Sequence, residues 1–152
     1  MPHFTTTLQQ GQPIVNMFVG VSVARSQALA TVNQTVPPIQ TVRALVDTGA
    51  SGTCIDPLVF AALQLQPTGM TPMLTPSTGN TPVDTETYDV SIIIPGAVTA
   101  GVQDPPLVMQ NIPVSASHLF VAQGFHVLLG RDILRRCILH YNGAVGLFTI
   151  SY

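Results

Sequence analysis

The chain contains no lysine and no tryptophan, and only 8% of its 152 residues are charged. Without lysine there is no Schiff-base lysine and no phosphate loop of the lysine-bearing kind. The only cations besides histidine are Arg25, Arg43, Arg131, Arg135 and Arg136, and the net charge of −2 gives no basic footprint for nucleic acid. Cysteine is equally scarce. Cys54 and Cys137 are far apart in apolar surroundings, form no Cys-x-x-Cys pair and are too few for a disulfide framework, so free buried thiols are expected. His3, His118, His126 and His140 lack metal-ligand spacing, so neither a metal nor another cofactor is expected. No apolar run approaches the ~20 residues of a membrane span. The start, Met1-Pro2-His3-Phe4-Thr5, is not a charged-then-apolar export signal, so a cytoplasmic or precursor-embedded location and no membrane partner are expected.

Typical soluble domains carry about 25% charged residues. The shortage here, beside 46% hydrophobic residues, fits either self-association or a surface made soluble by Thr and Ser.

What remains is mainly a β pattern, and the length suits one domain, residues 1–152, with 1–13 as a terminal arm. Residues 14–23 are β-branched and partly alternating, which predicts a strand. Residues 26–38, ending in Pro37-Pro38, read as a loop, and residues 39–46 as a second strand. Asp56-Pro57 is a helix start, with an N-cap acceptor followed by proline at the first helical position, and predicts a short helix to about Leu63. A second helix is expected over residues 131–138, where Ile133, Leu134 and Cys137 share a face. Residues 71–94 read as a hairpin with its tip at Pro76-Ser77-Thr78-Gly79-Asn80. Residues 95–106 read as a loop, and 107–114 as a strand in which Pro113 marks an end or an edge. Asn142-Gly143 predicts a two-residue hairpin turn. The final stretch, 144–152, alternates apolar residues and has no charge to protect an edge. The fold class is therefore all-β with one or two short helices.

The segment richest in chemistry is Ala44-Leu45-Val46-Asp47-Thr48-Gly49-Ala50-Ser51. It places a carboxylate at the end of an apolar strand, on a tight turn. A structural Asx-turn would use the same three central residues, but the longer string is far more selective. Gly49 allows a sharp turn and close backbone approach, the Thr48 hydroxyl can donate or accept across a symmetry axis, and Leu45 and Val46 keep the approach dry. The chain has one such segment, whereas acid–base cleavage of an amide works well with two facing carboxylates. A second string, Val127-Leu128-Leu129-Gly130-Arg131-Asp132-Ile133-Leu134, follows downstream. It faintly echoes Arg43 to Gly49, each being an apolar strand that ends in a glycine-containing turn.

Together the two strings resemble the single-domain aspartic proteases of the retropepsin kind over residues 39 to the end. That resemblance implies an acid-protease barrel with one Asp-Thr-Gly lobe per chain and an obligate homodimer. Asp47 would be the catalytic residue, supported by Thr48 and Gly49. Ala50 and Ser51, with Ser77, Thr78, Gly79 and Asn80 of a flap hairpin over 71–94, would contact an extended polypeptide substrate. Gly130, Arg131 and Asp132 would brace the base of the site. In the resembling family the terminal strands of two protomers interleave, so residues 147–152 are expected at the dimer contact. Retroviral members carry a second acid where this chain has Ser51, as pepsin-like enzymes do. Arg131 therefore needs another partner, with Asp132, a backbone carbonyl and Asp56 as candidates. Asp84, Glu86 and Asp89 read as a solvated face of one hairpin arm.

The function expected is thus an aspartic endopeptidase acting through a water activated by two Asp47 carboxylates, one per protomer. The alternative keeps the fold as a catalytically idle, dimeric peptide-binding or assembly module. A charge-poor structural β protein, of the capsid sort, leaves the Gly-Arg-Asp string unexplained. Gly-x-Ser-x-Gly and His-Glu-x-x-His are both missing, which disfavours other hydrolase classes.

Overall fold

The computed structural model describes residues 1–75, 79–119, 122 and 124–152, with Thr99 described by its backbone alone. Strand β1 (His3–Thr7) is followed by β2 (Ile14–Val21), α1 (Val23–Thr31), β3 (Gln40–Val46), β4 (Cys54–Ile55) and α2 (Pro57–Ala62). The hairpin β5 (Gly69–Met73) and β6 (Val83–Ile94) comes next, then the small pair β7 (Val98–Thr99) and β8 (Val102–Gln103). The chain continues through β9 (Leu107–Ala116), β10 (Val127–Leu129), α3 (Arg131–Leu134), β11 (Ile138–Asn142) and β12 (Leu147–Ser151).

The larger sheet runs β2-β3-β10-β4-β9-β6-β5, and β2 also pairs with β6, so six strands close into a barrel with β5 hanging from it. Closure removes edges that would otherwise invite aggregation. Alternation decides what fills it: Val42, Ala44 and Val46 of β3 and Val127 and Leu129 of β10 point inward, where they meet Met17, Val19, Ile55, Val90 and Ile92. The same alternation turns Arg43 and Leu45, and His126 and Leu128, to the outer face. The echo between the two sequence strings has a spatial meaning. β3 and β10 lie side by side and parallel, with Ala44 opposite Val127, Leu45 opposite Leu128 and Val46 opposite Leu129.

α2 begins as its sequence dictates. Asp56 caps it by accepting from Leu58 N at 3.0 Å, Pro57 holds the first turn, and Phe60 stacks on Tyr88 of β6 with ring centroids 3.9 Å apart. Residues 26–38 differ from the expected loop, because α1 occupies the first part. Ser22 accepts from Arg25 N at 3.2 Å to start that helix, and Leu29 is its one buried residue. The second expected helix is shorter than read: α3 stops at Leu134, and β11 has begun by Ile138. β9 runs on through Pro113 to Ala116, its 107–114 segment pairing with β6 alone. That spares proline's missing N–H. The 95–106 segment holds the β7–β8 pair.

The turn at 142–143 is a four-residue connection rather than a two-residue one. Asn142 and Leu147 are the last paired residues, and the Asn142 side chain accepts from Val145 N at 3.3 Å. β12 is also not an uncovered edge. It is the centre of a three-stranded sheet, β1-β12-β11, with Phe148 and Ile150 fully buried. The chain's own residues 3–7 pair along one side of it and residues 138–142 along the other.

Candidate active site

Asp47 follows directly on β3, and its position is set before its side chain is considered. Its N–H donates to Leu129 O at 3.0 Å, continuing the parallel pairing with β10 one step past the strand. Its carboxylate then folds back over the turn. Oδ1 accepts from Gly49 N at 2.8 Å and from Ala50 N at 3.3 Å. Two N–H donors on one oxygen orient the group and leave the other oxygen without a partner among the described residues. Gly49 matters here for space, because a Cβ on it would stand 3.1 Å from Asp47 Oδ1. Thr48 is exposed, and its hydroxyl has no partner among the described residues.

The base of the turn is fastened by the second string. Arg131 Nη1 donates to Thr48 O at 2.8 Å and to Gly49 O at 3.2 Å, while Arg131 N donates to Ala50 O at 3.0 Å. The partner of Arg131 is thus backbone carbonyl, the option that requires no acid where Ser51 stands. Asp132 is occupied elsewhere, since Thr53 gives it a backbone N–H at 3.0 Å and a hydroxyl at 2.8 Å. The Thr53 oxygen in turn accepts from Gly130 N at 3.1 Å. Gly130 must be glycine, because a Cβ there would come within 2.5 Å of Gly52 backbone atoms. Asp56 is likewise committed, to α2 and to Leu119 N at 3.0 Å.

Ala50 and Ser51 lie on the turn, Ala50 half-buried and Ser51 exposed. Ser77 and Thr78 fall outside the described residues. Gly79 and Asn80 form an exposed turn between β5 and β6, and Gly79 has φ +58°. Glu86 is exposed and accepts from the Tyr88 hydroxyl at 2.7 Å. That bond and burial push the Tyr88 phenol up to about 12, burial being the larger cause.

Three residues of the site escape the sequence reading. Thr53 is 1% exposed and joins Asp132 to Gly130, a role set by a contact 79 residues away. Leu128 and Cys54 sit opposite each other on β10 and β4, both half-buried on the outer face. Cys54 and Cys137 are both free. Burial pushes the Cys54 thiol up, and the negative charges of Asp132 and Asp47 add to the shift. Of the site, period-2 alternation read forward from Leu45 could have found Leu128 once the parallel pairing was assumed.

The model of a family described as aspartyl protease matches residues 28–133, which contain Asp47, the hairpin and most of the Gly-Arg-Asp string. The fold is similar to the crystal structure of a retropepsin-like aspartic protease from Rickettsia conorii. That match has a TM-score of 0.57 at 17% identity and covers 99% of this chain and 90% of the other. No curated protein is similar enough in sequence to count as a match. A parallel-braced Asp-Thr-Gly turn on a closed barrel, and a family match over more than half its length, place this chain in the aspartyl protease family with a retropepsin-like fold.

Proposed function

We propose that the protein is an aspartic endopeptidase that works as a homodimer, with Asp47 from each protomer. The observation that carries this is the isolation of a well-oriented carboxylate. Asp47 is held by two N–H donors, whereas the other acids are engaged or placed elsewhere. Asp56 caps α2, Asp132 binds Thr53, Glu86 takes the Tyr88 hydroxyl and Asp104 lies 3.8 Å from His3, while Asp84 and Asp89 belong to β6. A single chain therefore offers one half of an acid pair, and a second copy supplies the other.

With two Asp47 carboxylates facing across the axis, like charges resist joint ionisation and the pair keeps one proton; this shared titration is the established behaviour of aspartic-protease dyads. The ionised member takes a proton from water as that water attacks the scissile carbonyl carbon. The protonated member donates to the carbonyl oxygen, and the tetrahedral intermediate then collapses with proton transfer to the departing amine. The exposed Thr48 hydroxyls are suited to meet across the axis. The β5–β6 hairpin serves as a flap that closes over an extended substrate and excludes water.

Cleavage of a denatured protein or peptide mixture, followed on the acid side of neutrality, tests this reading. Asp47→Asn should abolish it while sedimentation and circular dichroism remain those of the parent. A statine-type mimic should inhibit and a chelator should not. Full activity in the Asn variant, or activity from a strict monomer, overturns the assignment.

A further inference from the structure

We infer that Arg43 is a specificity-determining residue that selects an acidic side chain in the substrate, an inference that rests on the peptidase reading above. Along β3 the residues turned to the outer face are Arg43 and Leu45, and the strand then delivers Asp47. On the neighbouring β10, Leu128 lies opposite Leu45, and His126 N donates to Arg43 O at 2.8 Å. The surface leading away from Asp47 therefore runs from carboxylate to an apolar pair, Leu45 and Leu128, and then to Arg43 with His126 beside it. Arg43 stands ~13 Å from Asp47 along the strand at the usual ~3.3 Å per residue. An extended peptide covers that distance in about four residues, and the arginine side chain shortens the gap further.

The guanidinium is placed rather than loose. It is half-buried and donates through Nη2 to the Gln9 side-chain oxygen. The loop before β10 makes room for it: Gly124 has φ +87°, and a Cβ there would lie 2.7 Å from Arg43 Nη1. Yet its one side-chain partner among the described residues is a neutral amide. Among the described residues the only ion pair is that of His3 with Asp104, so Arg43 has no carboxylate of its own. A half-buried cation with donors to spare gains most from a carboxylate brought to it, because the charge-assisted bond replaces incomplete solvation. The substrate implied is an extended polypeptide with an apolar residue near the cleaved bond and Asp or Glu further out, within about four residues.

The test uses a set of peptides with one apolar pair at the cleavage point and a single Glu moved through the flanking positions, each matched by a Gln and a Lys version. Dissociation constants are measured on the full-length Asp47→Asn protein, and kcat/KM on the parent. At one or more flanking positions Glu should be preferred over Gln by about fivefold in both measurements, the upper end for a partly exposed pair. Arg43→Glu should reverse the order, so that Lys is favoured over Glu there. If that variant does not fold, Arg43→Gln should bring the Glu-to-Gln ratio to about one. Cleavage with no Glu preference at any position, or a preference unchanged in the Arg43 variants, overturns the inference while leaving the peptidase standing. Selective binding without cleavage would instead remove the peptidase reading and keep Arg43 as a determinant of peptide choice.

Discussion

Thr53 shows how one residue can hold a site it does not serve chemically. Its hydroxyl donates to Asp132 and accepts from Gly130 N in a buried position. Thr53→Val keeps the shape and removes both bonds, leaving the Gly130 N–H unsatisfied while Asp132 keeps only its backbone donors, at a cost of about 1–3 kcal/mol. Urea unfolding should show that loss, and a midpoint unchanged from the parent would mean that water replaces the hydroxyl. Gly130→Ala is expected to cost as much or more, because the new methyl meets Gly52 backbone rather than a movable side chain. The Tyr88 phenol gives a pH signature of its own. Its folded-state value lies above the ordinary one, so its contribution to stability is complete below about pH 10. It disappears as the pH rises towards about 12, a window in which Tyr88→Phe should make alkaline unfolding less steep.

At the scale of elements, the hairpin and the helices differ in how far their sequences announce them. α2 is legible because Asp56 and Pro57 act locally, through one cap bond and one fixed φ. The strand β3 and its Asp47 turn are legible for a similar reason, since alternation and a turn signal suffice. α1 is not, because a helix that buries only Leu29 leaves almost no apolar period in its sequence. Nor is the identity of Arg131's partner, which depends on carbonyls more than 80 residues upstream that no local pattern marks. The β5–β6 hairpin carries its own prediction. Gly79 has φ +58°, and open space surrounds the position of a Cβ, so Gly79→Val strains the turn without crowding anything. Turnover of a peptide should fall several-fold while the melting temperature moves little. Equal losses in both would make the hairpin a scaffold instead of a cover.

For the whole molecule, the decisive element is the last one. β12 lies between β1 and β11 and buries Phe148 and Ile150 completely, each worth about 2 kcal/mol of apolar burial. With its ladders on both sides, that is a large part of the 5–15 kcal/mol typical of a domain. Removing residues 148–152 should therefore unfold the chain, read as loss of a cooperative transition, rather than release folded monomers. A folded, monomeric product would place the dimer contact at this strand. The parallel pairing of β3 with β10 has a further consequence, one of timing. Asp47 is made early in the chain, but the strand and arginine that fix its turn are made some 80 residues later. Contacts so distant in sequence form slowly and only after both partners exist. While the protein is being synthesised, Asp47 is thus present without a framework to aim it until the Gly-Arg-Asp string has emerged.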